Sequence, residues 1–234
     1  MKKKIGISFS EANFQNYWDW FTPEDLQDNI ELVLLSHEKN NMEDIYKCDG
    51  FVLTGGIDVD PSFYNGSINY ENGPGTFQPK RDSFEKKIYE YSQLNHLPVL
   101  GICRALQLIN VLEGGKLLQD LNIIGNKKHR KENADKEHPV ITDNDTLLYQ
   151  VTRNTSGHIN SAHHQAVDPN AIGKNLKVNA HADDDTIEGL EFRDKTHKAF
   201  MLCVQWHPER MKQKEENPFS QKLKERFLEE IKNR

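Results

Sequence analysis

Pro98-Val99-Leu100-Gly101-Ile102-Cys103-Arg104-Ala105 is the stretch that decides the architecture. A short apolar run makes a buried strand and delivers Cys103 directly. Beyond it Leu106, Ile109 and Leu112 recur at helical spacing until Gly114-Gly115 ends the run. A strand that turns straight into a helix through small-x-Cys-x-small is a nucleophile elbow. Bulky side chains two residues before or after the nucleophile would collide there, and Gly101 and Ala105 avoid the collision. The elbow sets the sulfur at a helix N-terminus, where the dipole and free N–H groups favour thiolate over thiol. The Arg104 N–H would then face a developing oxyanion. A lone cysteine after a core strand is more often an inert packing residue, so the elbow by itself leaves both readings open.

Outward from this point the pattern alternates. Residues 4–9, 30–35 and 50–54 read as strands, the last running into Gly55-Gly56. Phe84, Ile88 and Tyr91 predict a helix over 81–94. Thr22 is placed to cap a helix with Pro23 at its first position. Residues 122–140 are polar and read as a mobile loop. Thr146–Val151, Leu176–Ala180, Gly189–Phe192 and Ala199–Gln205 read as short strands. Asn217 and Pro218 open a closing helix, with Phe219, Leu223, Phe227 and Ile231 on one face. Strands alternating with helices predict an α/β fold, a mainly parallel sheet covered on both faces, in a single domain over 1–234.

The chain of 234 residues is 36% hydrophobic and 28% charged, with 30 basic against 36 acidic residues and a formal charge of −6. That mild acidic excess argues against nucleic acid as a partner. No segment approaches the ~18 apolar residues of a membrane span, and the opening Met-Lys-Lys-Lys lacks the apolar stretch of a signal peptide. Cys48, Cys103 and Cys203 form no CxxC pair and no even set, so free thiols in the cytoplasm are expected. Homo-oligomerisation is left open.

A thiolate needs a base that also protonates the leaving group. Of ten histidines, His207 is best placed: Val204-Gln205-Trp206-His207-Pro208-Glu209 follows an apolar strand whose C-terminal end lies on the elbow's side of a parallel sheet. Pro208 stiffens the turn, and Glu209 is in reach to orient the imidazole. Taken alone, the two also read as a surface pair. Asn160-Ser161-Ala162-His163-His164-Gln165 holds two adjacent histidines whose side chains point apart. No third ligand follows at zinc spacing, so no metal is assigned, and with Ser161 they read as pocket lining. Cys48 and Cys203 lack the elbow and read as inert.

Together these blocks resemble the class I glutamine amidotransferase superfamily, in its γ-glutamyl hydrolase branch, peptidase family C26. The matching segments are Gly50–Tyr64, Lys80–Asp82, Pro98–Asp120, Asn160–Val167 and the closing Gln-Trp-His-Pro-Glu of 205–209, in the family's order. The resemblance implies a flavodoxin-like three-layer α/β sandwich and a Cys103–His207–Glu209 triad, with no cofactor. It puts the oxyanion hole at the N–H groups of Gly56 and Arg104. It also places Gln107, Ser161, His163 and His164 against a bound glutamyl group, and Arg81 near the mouth, where it would meet a carboxylate; Arg81 reads equally as a surface arginine starting a helix. Two positions depart from the pattern: Ala105 stands where glycine is usual, and Gly55-Gly56-Ile57-Asp58-Val59-Asp60 carries Asp60 where histidine is common.

The expected reaction is hydrolysis of a γ-glutamyl amide that releases L-glutamate. The altered loop, with Trp18, Trp20, Arg81 and the basic run 127–131, favours γ-glutamyl-CDP-amidate, of capsule phosphoramidate biosynthesis, as substrate. γ-Glutamyl-γ-aminobutyrate or another γ-glutamyl amine is the alternative. A glutaminase subunit feeding ammonia to a separate synthase and a non-catalytic binding protein on the same fold are the further readings.

Overall fold

A computed structural model describes residues 2–27 and 29–234. Its strands are β1 (Lys3–Ser8), β2 (Ile30–Leu35), β3 (Gly50–Leu53), β4 (Val99–Ile102), β5 (Leu117–Leu118), β6 (Lys136–Thr142), β7 (Ser156–Ser161), β8 (Ala166–Val167), β9 (Leu176–Ala182), β10 (Ile187–Phe192) and β11 (Met201–Val204). Its α-helices are α1 (Phe14–Trp20), α2 (Pro79–Leu94), α3 (Arg104–Leu112), α4 (Asn122–His129), α5 (Leu147–Thr152) and α6 (Gln221–Lys232). None is long and apolar enough to cross a membrane.

Nine strands form one sheet in the order β2-β1-β3-β4-β11-β10-β9-β6-β7. The first five are parallel neighbours, in the 2-1-3-4-5 order of a flavodoxin-like sheet. The remaining four extend it with antiparallel pairings. Period-two alternation builds the layers. Val52, Leu100, Ile102, Leu202 and Val204 face one core, shared with Tyr17 and Trp20 of α1 and Leu223, Phe227 and Ile231 of α6. Phe51, Leu53, Val99, Met201 and Cys203 face the other, against Phe84 and Ile88 of α2 and Leu106 and Ile109 of α3. The expected α/β sandwich, covered on both faces, is what forms.

The reason for Gly101 is visible in this packing: a Cβ there would stand 2.9 Å from Cys203 Sγ and 3.2 Å from Ile109 Cδ1. Gly101→Ala is expected to cost ~1–3 kcal/mol through overpacking. Cys203→Ala in the same chain should recover part of it, read as a coupling energy in a urea-unfolding double-mutant cycle.

Four local expectations are corrected. Thr22 and Asp25 do bond reciprocally, Thr22 N–H to Asp25 Oδ2 at 2.8 Å and Asp25 N–H to Thr22 Oγ1 at 3.4 Å, but the chain makes only a turn there; the helix is α1, just before it. Residues 146–151 are not a strand. Thr146 caps α5 by accepting from the Tyr149 N–H, and the buried Glu191 carboxylate accepts from the Leu147 N–H at 2.7 Å. Residues 122–140 are not one loop: they form α4 and most of β6, with an irregular connection over 130–135. The closing helix begins at Gln221, after a turn in which Asn217 Oδ1 accepts from the Phe219 N–H.

Candidate active site

Cys103 sits between β4 and α3 with φ 53° and ψ −105°. A side-chain-bearing residue rarely adopts that conformation, and such strain concentrates at functional positions. Two fixed points hold the elbow: the Cys103 N–H donates to the Val204 carbonyl at 2.7 Å, and Gln205 Nε2 donates to Cys103 Sγ at 3.4 Å. Burial pushes the thiol up, but the charge of His207 and a hydrogen bond with it outweigh burial, so its pKa is lowered. Burial dominates at the other two cysteines, and Cys48 and Cys203 are pushed up to about 12, as suits inert thiols.

His207 leaves the end of β11, the strand hydrogen-bonded to β4, so sheet register brings His207 and Cys103, the expected base and nucleophile, together. Its N–H donates to Asn160 Oδ1 at 3.0 Å. Its Nδ1 lies 2.8 Å from Glu209 Oε1, and the carboxylate is fully buried. Burial opposes a charged imidazole, yet Glu209 and then Cys103 overcome it and raise its pKa to about 9. Arg210 Nη1 also lies 3.0 Å from His207 Nδ1. An imidazolium N–H cannot accept, so the guanidinium is held by Glu209 and Asp135 instead. Tyr17, which the sequence pattern does not announce, closes the floor: its hydroxyl accepts from the Gly55 N–H at 3.0 Å and lies 3.3 Å from His207 Nδ1.

The loop after β3 carries Gly56 at φ 152°, and a Cβ there would run into the Arg81 guanidinium. Arg81 is buried, not at the mouth. Its Nη2 donates to Thr54 Oγ1 at 2.9 Å and to the Gly55 carbonyl at 2.7 Å, and its Nε pairs with Glu85 at 3.0 Å. The reading of Arg81 as a substrate contact is therefore replaced by one in which it braces the loop from behind. The Arg104 side chain does likewise: Nε donates to the Ile57 carbonyl at 2.7 Å, and the guanidinium pairs with Asp82 and with Glu85. The Arg104 backbone N–H, in the first turn of α3, has no carbonyl of its own helix to bond. The loop that carries Gly56 and the start of α3 are thus tied together through Arg81, Arg104 and Glu85.

The expected pocket strip splits. Gln107 Nε2 donates to the Gln165 carbonyl at 3.0 Å and to Gln205 Oε1 at 3.1 Å, joining the nucleophile's own network. Ser161 is fully buried and donates to the His129 carbonyl, so it does not line a pocket. His163 turns inward to Glu188, in a cluster with His129 and His138. Only His164 reaches the rim, 3.1 Å from Asp58 and 3.3 Å from Asp120. Burial lowers its pKa, but hydrogen bonds and charge from these carboxylates win and raise it. Trp20 is buried, donating to Ser220, and so stands at no mouth; Trp18 is half-buried against the same core. Lys127 and Arg130 do line a surface cleft, with Glu71, Asn72 and Asp120.

Residues 29–209 match the family model described as Peptidase C26. The chain belongs to that family. Among its relatives is the putative glutamine amidotransferase-like protein YvdE of Lactococcus lactis, 33% identical over 83% of this chain and 79% of that protein. Protein NtpR of Enterococcus hirae is 34% identical over 78% of this chain and 76% of its own length. The γ-glutamyl-γ-aminobutyrate hydrolase PuuD of Escherichia coli is 28% identical over 70% of this chain and 65% of its own. Two solved structures share the fold with this C26 chain at low identity. One is a glutamine amidotransferase from Methylobacillus flagellatus (14% identity, TM-score 0.62, over 90% of this chain and 72% of that one). The other is the glutaminase domain of Trypanosoma brucei CTPS with bound acivicin (13% identity, TM-score 0.67, over 100% of this chain and 95% of that one).

Proposed function

We propose that the chain hydrolyses a γ-glutamyl amide through Cys103, His207 and Glu209. The observation that carries the reading is the strained Cys103 elbow, whose lowered thiol pKa is set by an imidazole that Glu209 holds at 2.8 Å. The thiolate attacks the γ-carbonyl and forms a C–S bond, while the N–H groups of Gly56 and Arg104 receive the oxyanion. The C–N bond breaks as the His207 imidazolium gives its proton to the departing nitrogen. Water then adds to the thioester as His207 takes its proton, the C–S bond breaks, and L-glutamate leaves with the thiolate–imidazolium pair restored.

The leaving group would lie towards His164 and the 127–130 segment. Lys127 and Arg130 on the neighbouring cleft favour a phosphate-bearing group such as the CDP-amidate. Asp58 and Asp120 at the rim favour an amine. Glutamate release measured side by side on γ-glutamyl-CDP-amidate, γ-glutamyl-γ-aminobutyrate and glutamine decides among them. Failure on every γ-glutamyl amide, with acivicin leaving Cys103 unmodified, would return the chain to the non-catalytic reading.

The pH profile follows from the pair. The Cys103 pKa is lowered, so thiolate is lost only as pH falls through that lowered value; His207 is raised to about 9, so its proton is lost as pH rises through about 9. kcat/KM should hold a plateau between these limits. An upper limb already falling near the ordinary imidazole value of about 6.5 would contradict it.

A further inference from the structure

Behind the nucleophile, four buried side chains converge: His129 at the end of α4, His138 in β6, His163 after β7 and Glu188 in β10. Their ligand atoms all lie within 4.8 Å of one another. Glu188 Oε1 is 3.4 Å from His129 Nδ1, 3.6 Å from His138 Nε2 and 3.4 Å from His163 Nε2. Tetrahedral ligands held about 2.0–2.1 Å from a zinc ion stand about 3.4 Å apart.

We propose that His129, His138, His163 and Glu188 bind one divalent transition metal of the zinc class as a closed structural site. Each histidine has its outward nitrogen committed. His129 Nε2 donates to Asp184 Oδ2 at 3.0 Å, His138 Nδ1 to the Pro139 carbonyl at 2.9 Å, and His163 Nδ1 to the Gln165 carbonyl at 2.9 Å. That fixes all three tautomers with a lone pair aimed inward, as outer partners do for ligating histidines. Ser161 Oγ lies 3.4 Å from His129 Nδ1, but its one proton goes to the His129 carbonyl at 3.0 Å. Among the described residues the inward atoms lack other partners: His138 Nε2, His163 Nε2 and both Glu188 oxygens are buried without a hydrogen bond. A fully buried carboxylate in that state is costly, and a cation bound by three imidazoles and this oxygen satisfies the inward nitrogens and the carboxylate together. Three nitrogens and one oxygen suit zinc, cobalt or nickel over calcium or magnesium. Four protein ligands in a buried setting leave no open position, so the metal is structural.

The site also reaches the nucleophile. The Gln165 carbonyl that orients His163 accepts from Gln107, Gln107 meets Gln205, and Gln205 donates to Cys103 Sγ. The Gln205 N–H donates to the Glu188 carbonyl at 2.8 Å. Metal bound here pins the pedestal of the elbow.

The test reads metal independently of hydrolysis. The full chain is stripped with dipicolinate and dialysed against Zn²⁺ or Co²⁺. The expected result is about one ion per chain, a raised unfolding temperature, and Co²⁺ visible bands of tetrahedral intensity. Glu188→Gln and His138→Gln should lose the ion, while His158→Gln, an exposed ring on β7, keeps it. Asp184→Asn, which leaves all four ligands in place, should bind about 10–100-fold more weakly. Because the cobalt spectrum and stoichiometry are read on the unaltered chain, failure of a variant to fold does not blunt the test. No uptake by the stripped chain, or an octahedral cobalt spectrum indifferent to these substitutions, overturns the site and leaves a buried imidazolium–carboxylate cluster.

Discussion

Replacing Cys103 with alanine is expected to lower γ-glutamyl amide turnover by at least about 10⁴-fold, because acylation has no other nucleophile and the remaining groups act only as parts of the same unit. The fold should tolerate the change. The backbone of the elbow is held by the Val204 carbonyl and by strand pairing, neither of which involves the sulfur. What changes is the charge state of the site. The thiolate is one of two anions that raise the His207 pKa, so its removal should bring the imidazole down from about 9, visible as an earlier titration of its ring protons by NMR. Turnover within tenfold of the parent would end the proposal for this site. Intact turnover with an unshifted His207 would mean that the two groups do not interact at all.

Arg104→Met should produce the largest loss of stability of any single polar substitution considered. The guanidinium is fully buried against Asp82 and Glu85, with Nη1 2.5 Å from Glu85 Oε2. Among the described residues, its removal leaves Asp82 without an ion-pair partner and Glu85 with Arg81 alone, a situation that costs ~3–5 kcal/mol. Urea unfolding at neutral pH measures it. The penalty arises from stranded charge rather than lost volume, so Arg104→Met combined with Asp82→Asn should regain part of it. A loss below about 1 kcal/mol would show that water reaches these carboxylates. Activity should fall as well, since Arg104 Nε fixes the Ile57 carbonyl and with it the loop that presents Gly56.

Much of this molecule is legible before any coordinates, for physical reasons. The elbow is written in a few consecutive residues whose sizes are dictated by contact, as the Gly101–Cys203 approach shows. The Gln205–Glu209 block carries the proposed base and orienter, His207 and Glu209, two residues apart, within one turn. The parallel strands are short apolar runs buried on both faces, a pattern that survives in one dimension. The segments that misled depend on partners far along the chain. α5 is made of Leu-Leu-Tyr-Gln-Val-Thr, residues at home in a strand, and it is a helix because Glu191 arrives from β10 to cap it. β6 contains Pro139, which argues against a paired strand, yet the pairing with β9 begins only at Val140, so no ladder bond is lost there. Arg81 reads as exposed because a charged residue at a helix start usually is; only the fold reveals the carboxylate and carbonyls around it. The four side chains of the buried histidine cluster are separated by 9, 25 and 25 positions, so no short motif announces them.

The strand that completes the sheet's middle is the last one in the chain order. β11 inserts between β4 and β10, and it carries His207 just beyond its end. During synthesis, therefore, a nascent polypeptide has an unfilled slot where its central rung belongs, and its sulfur waits as a plain thiol. The lowering of its pKa by His207 is then expected only once β11 has closed the sheet. Ribosome-stalled chains released only as far as residue 195 should react with iodoacetamide at Cys103 no faster than an unstructured cysteine peptide.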